Sequence, residues 1–126
     1  MKKAVAQSKE KLKSKPGFIS VHGTATPFND EMEAIAINRM QFSEIPLVGL
    51  KGYFGHTLGA AGVIESIAAI HSMKSSKLHA TVGFENSGVT VPVNVNLKTI
   101  EKEISSCLKV ASGFGGCNAA AIFSKK

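Results

Sequence analysis

The chain has 126 residues, enough for one domain whose core buries roughly two thirds of the surface the unfolded chain exposes. With 44% hydrophobic and 19% charged residues it reads as soluble and globular, and no run approaches the ~18 apolar residues of a membrane span. The formal charge of +6 gathers at the ends, in Lys2, Lys3, Lys9, Lys11, Lys13 and Lys15 and in Lys125 and Lys126. A solvated helix face and tail account for that pattern better than a nucleic-acid surface, and contact with an acidic protein is the weaker alternative.

Residues 2–14 are expected to form a surface helix touching the core through Val5 and Leu12 and stopped by Pro16-Gly17. The apolar run Phe18–Val21 predicts a buried strand, with His22 at its C-terminal end and the turn-rich "GTATPFND" after it. A helix over about 29–41 follows, in which Asp30 and Glu33 have capping-box spacing and Met32, Ile35, Ala36 and Met40 recur at helical intervals. "IPLVGLKG" predicts a second strand. After the glycine-rich turn a helix runs from about Leu58 to Lys74, and it is apolar on all faces apart from Glu65. Such a helix is normally buried on both sides, so a second surface should cover residues such as Ile64, Ile67 and Ile70.

Residues 77–99 read as a loop-rich excursion, and "CLKVASGFGGCNAAAIFSK" as an antiparallel hairpin around a glycine turn. The succession of elements favours an α/β fold, a mixed sheet with helices on both faces and an antiparallel pair at its end. Cys107 and Cys117 form no disulfide framework, and with the four histidines match no zinc template. Reduced thiols in a cytoplasmic protein without a metal site are expected.

His22 and His56 each follow a predicted strand in a glycine-containing turn, the address at which open α/β sheets place ligands and catalytic groups. Two imidazoles at neighbouring strand ends can converge on one substrate oxygen. The dipole of the following helix and nearby Lys51 both oppose a second proton on His56, leaving a neutral hydrogen-bond donor suited to a developing enolate. Glu65, nearly alone among apolar neighbours, requires a partner, and Lys51 is the nearest cation in that stretch.

"VHGTATPFND", "LKGYFGHTLGAAG" with Glu65 beyond it, and "GFGGCNAA" occur in the order and spacing of the β-ketoacyl-acyl-carrier-protein synthases, and the chain resembles the C-terminal half of that thiolase-like fold. The resemblance implies decarboxylative Claisen condensation of malonyl-acyl carrier protein with an acyl-enzyme thioester in fatty acid or polyketide biosynthesis. By the same resemblance His22 and His56 are the catalytic histidines, Lys51 and Glu65 their supporting ion pair, and Asp30 the acidic residue after the first histidine. Thr24 and Thr26 match the threonines that hold the phosphopantetheine arm. Phe114 matches the gating phenylalanine, flanked by the supporting Gly113 and Gly115. Glycines around His56 would let the arm approach the backbone closely.

The sequence departs from the family pattern at Phe54, Ser112 and Cys117, and it holds no nucleophile, because neither cysteine opens a helix in a strained elbow. Residues 1–126 are thus expected to be a single domain that lacks the N-terminal nucleophile half and is inactive alone. No cofactor is implied beyond the phosphopantetheine-borne substrates. The implied partners are acyl carrier protein and either the N-terminal half or a second copy, with no nucleic acid and no membrane span. A non-catalytic interaction subunit resembling a chain-length factor is the alternative: the absent half favours it and the two retained histidines oppose it. A dinucleotide-binding module is disfavoured because the glycines around His56 do not fit G-x-G-x-x-G.

Overall fold

The computed structural model describes residues 1–8 and 15–125. Its elements in chain order are α1 (Lys2–Ser8), β1 (Phe18–Ser20), α2 (Pro27–Arg39), β2 (Leu47–Val48), the single turn α3 (Lys51–Phe54), α4 (Ala61–Ser75), β3 (Lys77–Leu78), β4 (Ile100–Glu101), β5 (Ser106–Ser112) and β6 (Asn118–Ser124). The remainder of the expected 2–14 helix, including Leu12, lies outside the described residues.

The main sheet has the order β2, β1, β5, β6. β1 runs parallel to β2 and β5, with Ile19 opposite Leu47 and Leu108, and β5 and β6 form the expected hairpin through seven antiparallel pairs from Ser106–Ser124 to Ser112–Asn118. Gly115 and Gly116 have φ of 73° and 79°, a region that side chains with a Cβ disfavour, so glycine is what lets the hairpin turn. Successive strand residues point to opposite faces, and each face has its own apolar cluster. Phe18, Val48 and Cys107 pack with Ala69 and Met73 of α4 on one side. Ile19, Leu47, Leu108 and Val110 pack with Ile37 of α2 on the other, where Val5 of α1 joins them. The result is the expected α/β arrangement, a mixed sheet with helices on both faces.

Local boundaries differ from expectation for identifiable reasons. Helix α2 begins at Pro27, whose fixed φ suits the first helical position. Asp30 therefore lies inside the first turn, and the capping box read from Asp30 and Glu33 does not form. β2 is only two residues long because the chain turns at Leu50, a buried core residue, and Lys51 opens α3 instead of extending the strand. A 3-10 turn over Leu58–Ala60 precedes α4.

The 77–99 excursion is loop, as expected, apart from Lys77–Leu78, which pairs with Ile100–Glu101. A bridge from Val95 to Leu47 lays the excursion along the outer edge of β2, with Leu47 N–H donating to Asn94 O at 2.7 Å and Asn96 N–H to Leu47 O at 2.9 Å. The inner face of α4 carries Ala61, Glu65, Ala69, Ser72 and Met73. Its other face is bare in this chain, with Val63 64% and Ile67 63% exposed. Ile64 and Ile70, expected beside Ile67 in an open patch, are half-buried instead.

Gly52 in α3 lies against the excursion so closely that an added Cβ would sit 2.3 Å from Val82 O. Backbone cannot yield as a side chain can, so Gly52→Ala is expected to destabilise the chain by ~1–3 kcal/mol, as overpacking does. Urea unfolding measures this; at Gly59, where an added Cβ meets nothing within 4 Å, the same change should not produce such a clash.

Candidate active site

The site begins where β1 leaves the sheet. Beyond Ser20 the loop's backbone N–H groups are taken by carboxylates of α2: His22 N–H donates to Glu33 Oε1 at 2.8 Å, Gly23 N–H to Glu33 Oε2 at 2.7 Å, and Thr24 N–H to Asp30 Oδ1 at 3.0 Å. Its carbonyls are taken by two ammonium groups. Lys109 Nζ donates to Val21 O at 3.2 Å and more weakly to Ser20 O at 3.4 Å, and Lys51 Nζ donates to His22 O at 2.5 Å. A loop that must leave the sheet keeps its polar backbone satisfied this way where it is partly buried.

Both ammonium groups converge on Glu65 from α4, which is 2% exposed. Lys51 Nζ lies 2.6 Å from Oε1, and Lys109 Nζ, from the middle of β5, lies 2.7 Å from Oε2. The pairing of Lys51 with Glu65 matches the sequence reading, which missed the second cation. A lone lysine flanked by apolar residues in "CLKVA" was the available signal, since lysine is almost never fully buried without a partner. Glu33 was missed as a site residue because its spacing from Asp30 suggested a cap. Its helical phase with buried Ala34 and Ile37 places it on the inner face.

His22 and His56 meet edge to face, their ring centroids 5.2 Å apart. Lys51 Nζ stands 3.2 Å from His22 Nδ1, and Leu58 N–H donates to His56 Nδ1 at 3.2 Å. An ammonium and an amide can only donate, so each Nδ1 is an acceptor and each neutral ring carries its proton on Nε2. Lys51 thus bonds to His22, a contact that the sequence reading, which set it beside His56, did not foresee. Burial is the main cause that pushes the His22 pKa below its ordinary value of 6.5, with the Lys51 charge next and Glu65 opposing. Burial also raises the Glu33 carboxyl above its usual range, against the pull of its bonds to Gly23 and His22.

Each histidine loop contains a non-glycine residue in the left-handed region, Ala25 at φ 55° and Leu58 at φ 49°. The other two such residues among the described residues, Gln41 and Ser76, follow the ends of helices, where that conformation is common. Strain of this kind, about 1–3 kcal/mol per residue, persists where surrounding contacts hold the chain in place.

A cavity of about 800 Å³ opens beside the histidines, lined by His56, Lys51, Thr24, Thr26 and, across from them, Val82 and Phe84 of the excursion. Thr24 and Thr26 share a hydrogen bond of 2.7 Å between their hydroxyls. His22 is buried and is not among the lining residues. Phe114, expected at the rim, is 99% exposed on the hairpin turn between Gly113 and Gly115 and does not line the cavity either. Cys107 lies within β5, and burial pushes its thiol up to about 11. Cys117 is exposed beyond the turn. Among the described residues no three His, Cys, Asp or Glu side chains gather as a metal site, and no helix is long and apolar enough to cross a membrane.

Two tests follow from the charge arrangement. Glu65→Ala leaves two buried ammonium groups facing each other and should cost about 3–5 kcal/mol in thermal or urea unfolding, the magnitude for breaking a buried pair from one side. For His22 the folded ring binds its proton less readily than the unfolded ring, so its contribution to stability is complete above pH 6.5 and declines as the pH falls below it. Urea unfolding at a series of pH values should therefore show the wild-type chain losing stability relative to His22→Asn on acidification below about 6.5; a constant or opposite difference would contradict the lowered pKa.

Residues 1–85 match the family model described as the β-ketoacyl synthase C-terminal domain. A chloroplastic 3-oxoacyl-[acyl-carrier-protein] synthase II of Arabidopsis thaliana is 33% identical over 120 residues, covering 92% of this chain and 21% of the relative. A polyketide-biosynthesis malonyl-ACP decarboxylase of Bacillus subtilis is 33% identical over 108 residues, covering 82% of this chain and 25% of the relative. The chain thus spans about a fifth to a quarter of these relatives' lengths. Among solved structures, a type II polyketide acyl carrier protein in complex with its ketosynthase aligns with a TM-score of 0.85 at 27% identity, covering 99% of this chain and 31% of the other. The ishigamide ketosynthase/chain length factor aligns with a TM-score of 0.83 at 25% identity, covering 95% and 30%. The strand-end histidines, the paired Lys51 and Glu65 and the mixed sheet therefore stand in a chain that belongs to the β-ketoacyl synthase family, as its C-terminal, thiolase-like part.

Proposed function

We propose that the chain supplies the histidine half of a 3-oxoacyl-[acyl-carrier-protein] synthase, the half that decarboxylates a malonyl thioester and holds the resulting carbanion. The observation that carries this reading is the pair of imidazoles 5.2 Å apart, each with Nδ1 facing a donor, so that in the assembled enzyme the two Nε2–H groups would be left to donate to a substrate oxygen. When the bond to the malonyl carboxylate breaks and carbon dioxide leaves, the electron pair moves into the thioester carbonyl as an enolate. Donors already in place stabilise that charge without reorganising, which is where such sites act most strongly. His22 resists protonation, and both rings donate without losing their own protons.

In the condensation step the enolate carbon attacks an acyl thioester; the new carbon–carbon bond forms as the nucleophile's thiolate departs. We assign that thiolate to an N-terminal half outside these 126 residues. Buried Cys107, with its raised pKa, is a poor nucleophile, and Cys117 follows the hairpin turn with no helix N-terminus of its own. Thr24 and Thr26 line the cavity and would hold the phosphopantetheine arm of an acyl carrier protein. Asp30 would fix the loop that carries them, and Phe114, between Gly113 and Gly115, would order as a gate once the other half covers the hairpin turn. The reaction calls for no metal or redox cofactor. The bare Val63 and Ile67 of α4 fit a surface that the N-terminal half or a second copy covers. A relative named as a malonyl-ACP decarboxylase is consistent with decarboxylation as a separable task of this fold.

Combining the chain with a separately expressed nucleophile half should restore carbon dioxide release from malonyl-acyl carrier protein and product formation. In that assembly His22→Ala and His56→Ala should each lower decarboxylation by about 10²–10³, as loss of one oxyanion donor does. A monomeric chain that takes up acyl groups unaided would overturn the division of labour.

A further inference from the structure

Lys109 takes no part in the reaction proposed above, yet it is 3% exposed at the centre of the site. Its ammonium forms an ion pair with Glu65 Oε2 at 2.7 Å and donates to Val21 O, Val110 O and, at 3.4 Å, Ser20 O. We propose that Lys109 is a positioning residue for His22: it holds the second oxygen of Glu65 and the carbonyls of the two residues leading into His22, which fixes Lys51 against the ring. The inference rests on the catalytic reading of His22, and its test does not depend on turnover.

A carboxylate bound by one lysine can rotate and take that lysine on both oxygens. With Lys109 on Oε2, Glu65 is held with Oε1 toward Lys51, whose remaining protons reach His22 Nδ1 and His22 O. Room for this second ammonium comes from the sheet register. Lys109 sits opposite Ser20, whose side chain is small, and two residues along the same face Ala111 lets α4 come close enough that a Cβ on Gly62 would stand 3.9 Å from Ala111 Cβ. Ser20, Lys109, Gly62 and Glu65 thereby form one arrangement whose product is a carboxylate shared by two cations.

The charge consequence is specific. His22 faces Lys51 from α3, Lys109 from β5, Glu65 from α4 and His56, while Glu33 from α2 accepts its backbone N–H. Lys51, Glu65 and Lys109 together carry one net positive charge, and removing Lys109 leaves a neutral pair. A proton on His22 then meets less opposition, and the ring should titrate at higher pH.

The experiment is an NMR titration of the His22 ring in the full 126-residue chain, comparing wild type, Lys109→Arg and Lys109→Met, with a thermal unfolding curve for each. Lys109→Met is expected to move the His22 midpoint upward while Lys109→Arg, which keeps the charge, stays with wild type. If Lys109→Met does not fold, Lys109→Gln supplies the uncharged arm, since its amide can still donate to Glu65 or Val21 O. A folded uncharged variant whose His22 midpoint is unchanged or lower overturns the proposal, even where its melting temperature falls, because a residue that only packs would alter stability alone. Condensing activity that is unchanged while the midpoint shifts, measured with the nucleophile half added, would instead count against the catalytic reading.

Discussion

Glu65 is a carboxylate with almost no access to water, and transferring such a group from water costs several kcal/mol unless charges and hydrogen bonds replace its hydration. Two lysines meet that requirement, and their positions relate the parts of the site to one another. Lys51 comes from the turn after β2, Lys109 from the middle of β5, and Glu65 from the inner face of α4. Removing Glu65 strands two ammonium groups in a low-dielectric interior, so sheet, turn and helix must stay in register together. Burying such a cluster gives less stability than an apolar core of the same volume would. Its retention here is accounted for by geometry, since the two ammonium groups bond the three successive carbonyls, Ser20, Val21 and His22, that end the first strand.

The same loop is held from its other side by Glu33 and Asp30, which accept the N–H groups of His22, Gly23 and Thr24. Carboxylates on one side and ammonium groups on the other leave the loop little freedom, and this is the setting in which Ala25 can keep a left-handed conformation. The second histidine loop has fewer such ties. His56 is exposed, bonded by Leu58 N–H and in contact with His22, and it opens on the cavity. One ring is thus buried and the other opens on the cavity.

The outer face of α4 makes the opposite point. Val63 and Ile67 stand in solvent while Ala61, Ala69 and Met73 are buried, so the helix uses one of its two apolar faces. A relative several times longer has the material to cover the other face.

Much of this was legible in the sequence. The apolar run Phe18–Val21 and the glycine turn at 113–116 specify a strand and the hairpin through local preferences alone. The three linked motifs identified the family and brought His22 and His56 forward. What the sequence left open depended on distances between residues far apart in the chain. Lys109 is 44 residues from Glu65 and Glu33 is 11 from His22, and no local pattern encodes either meeting. Lys51 lies five residues before His56 and 29 before it in the other direction lies His22, yet it bonds to His22. The reason is that β1 and β2 run parallel, which brings their C-terminal ends side by side, and the turn at Leu50 then swings the ammonium across to the neighbouring strand. Composition and periodicity determined which segments would pack, and the linked motifs brought forward His22, His56, Lys51 and Glu65; only the parallel register of the sheet and the crossing of α4 over β5 decided which charge met which.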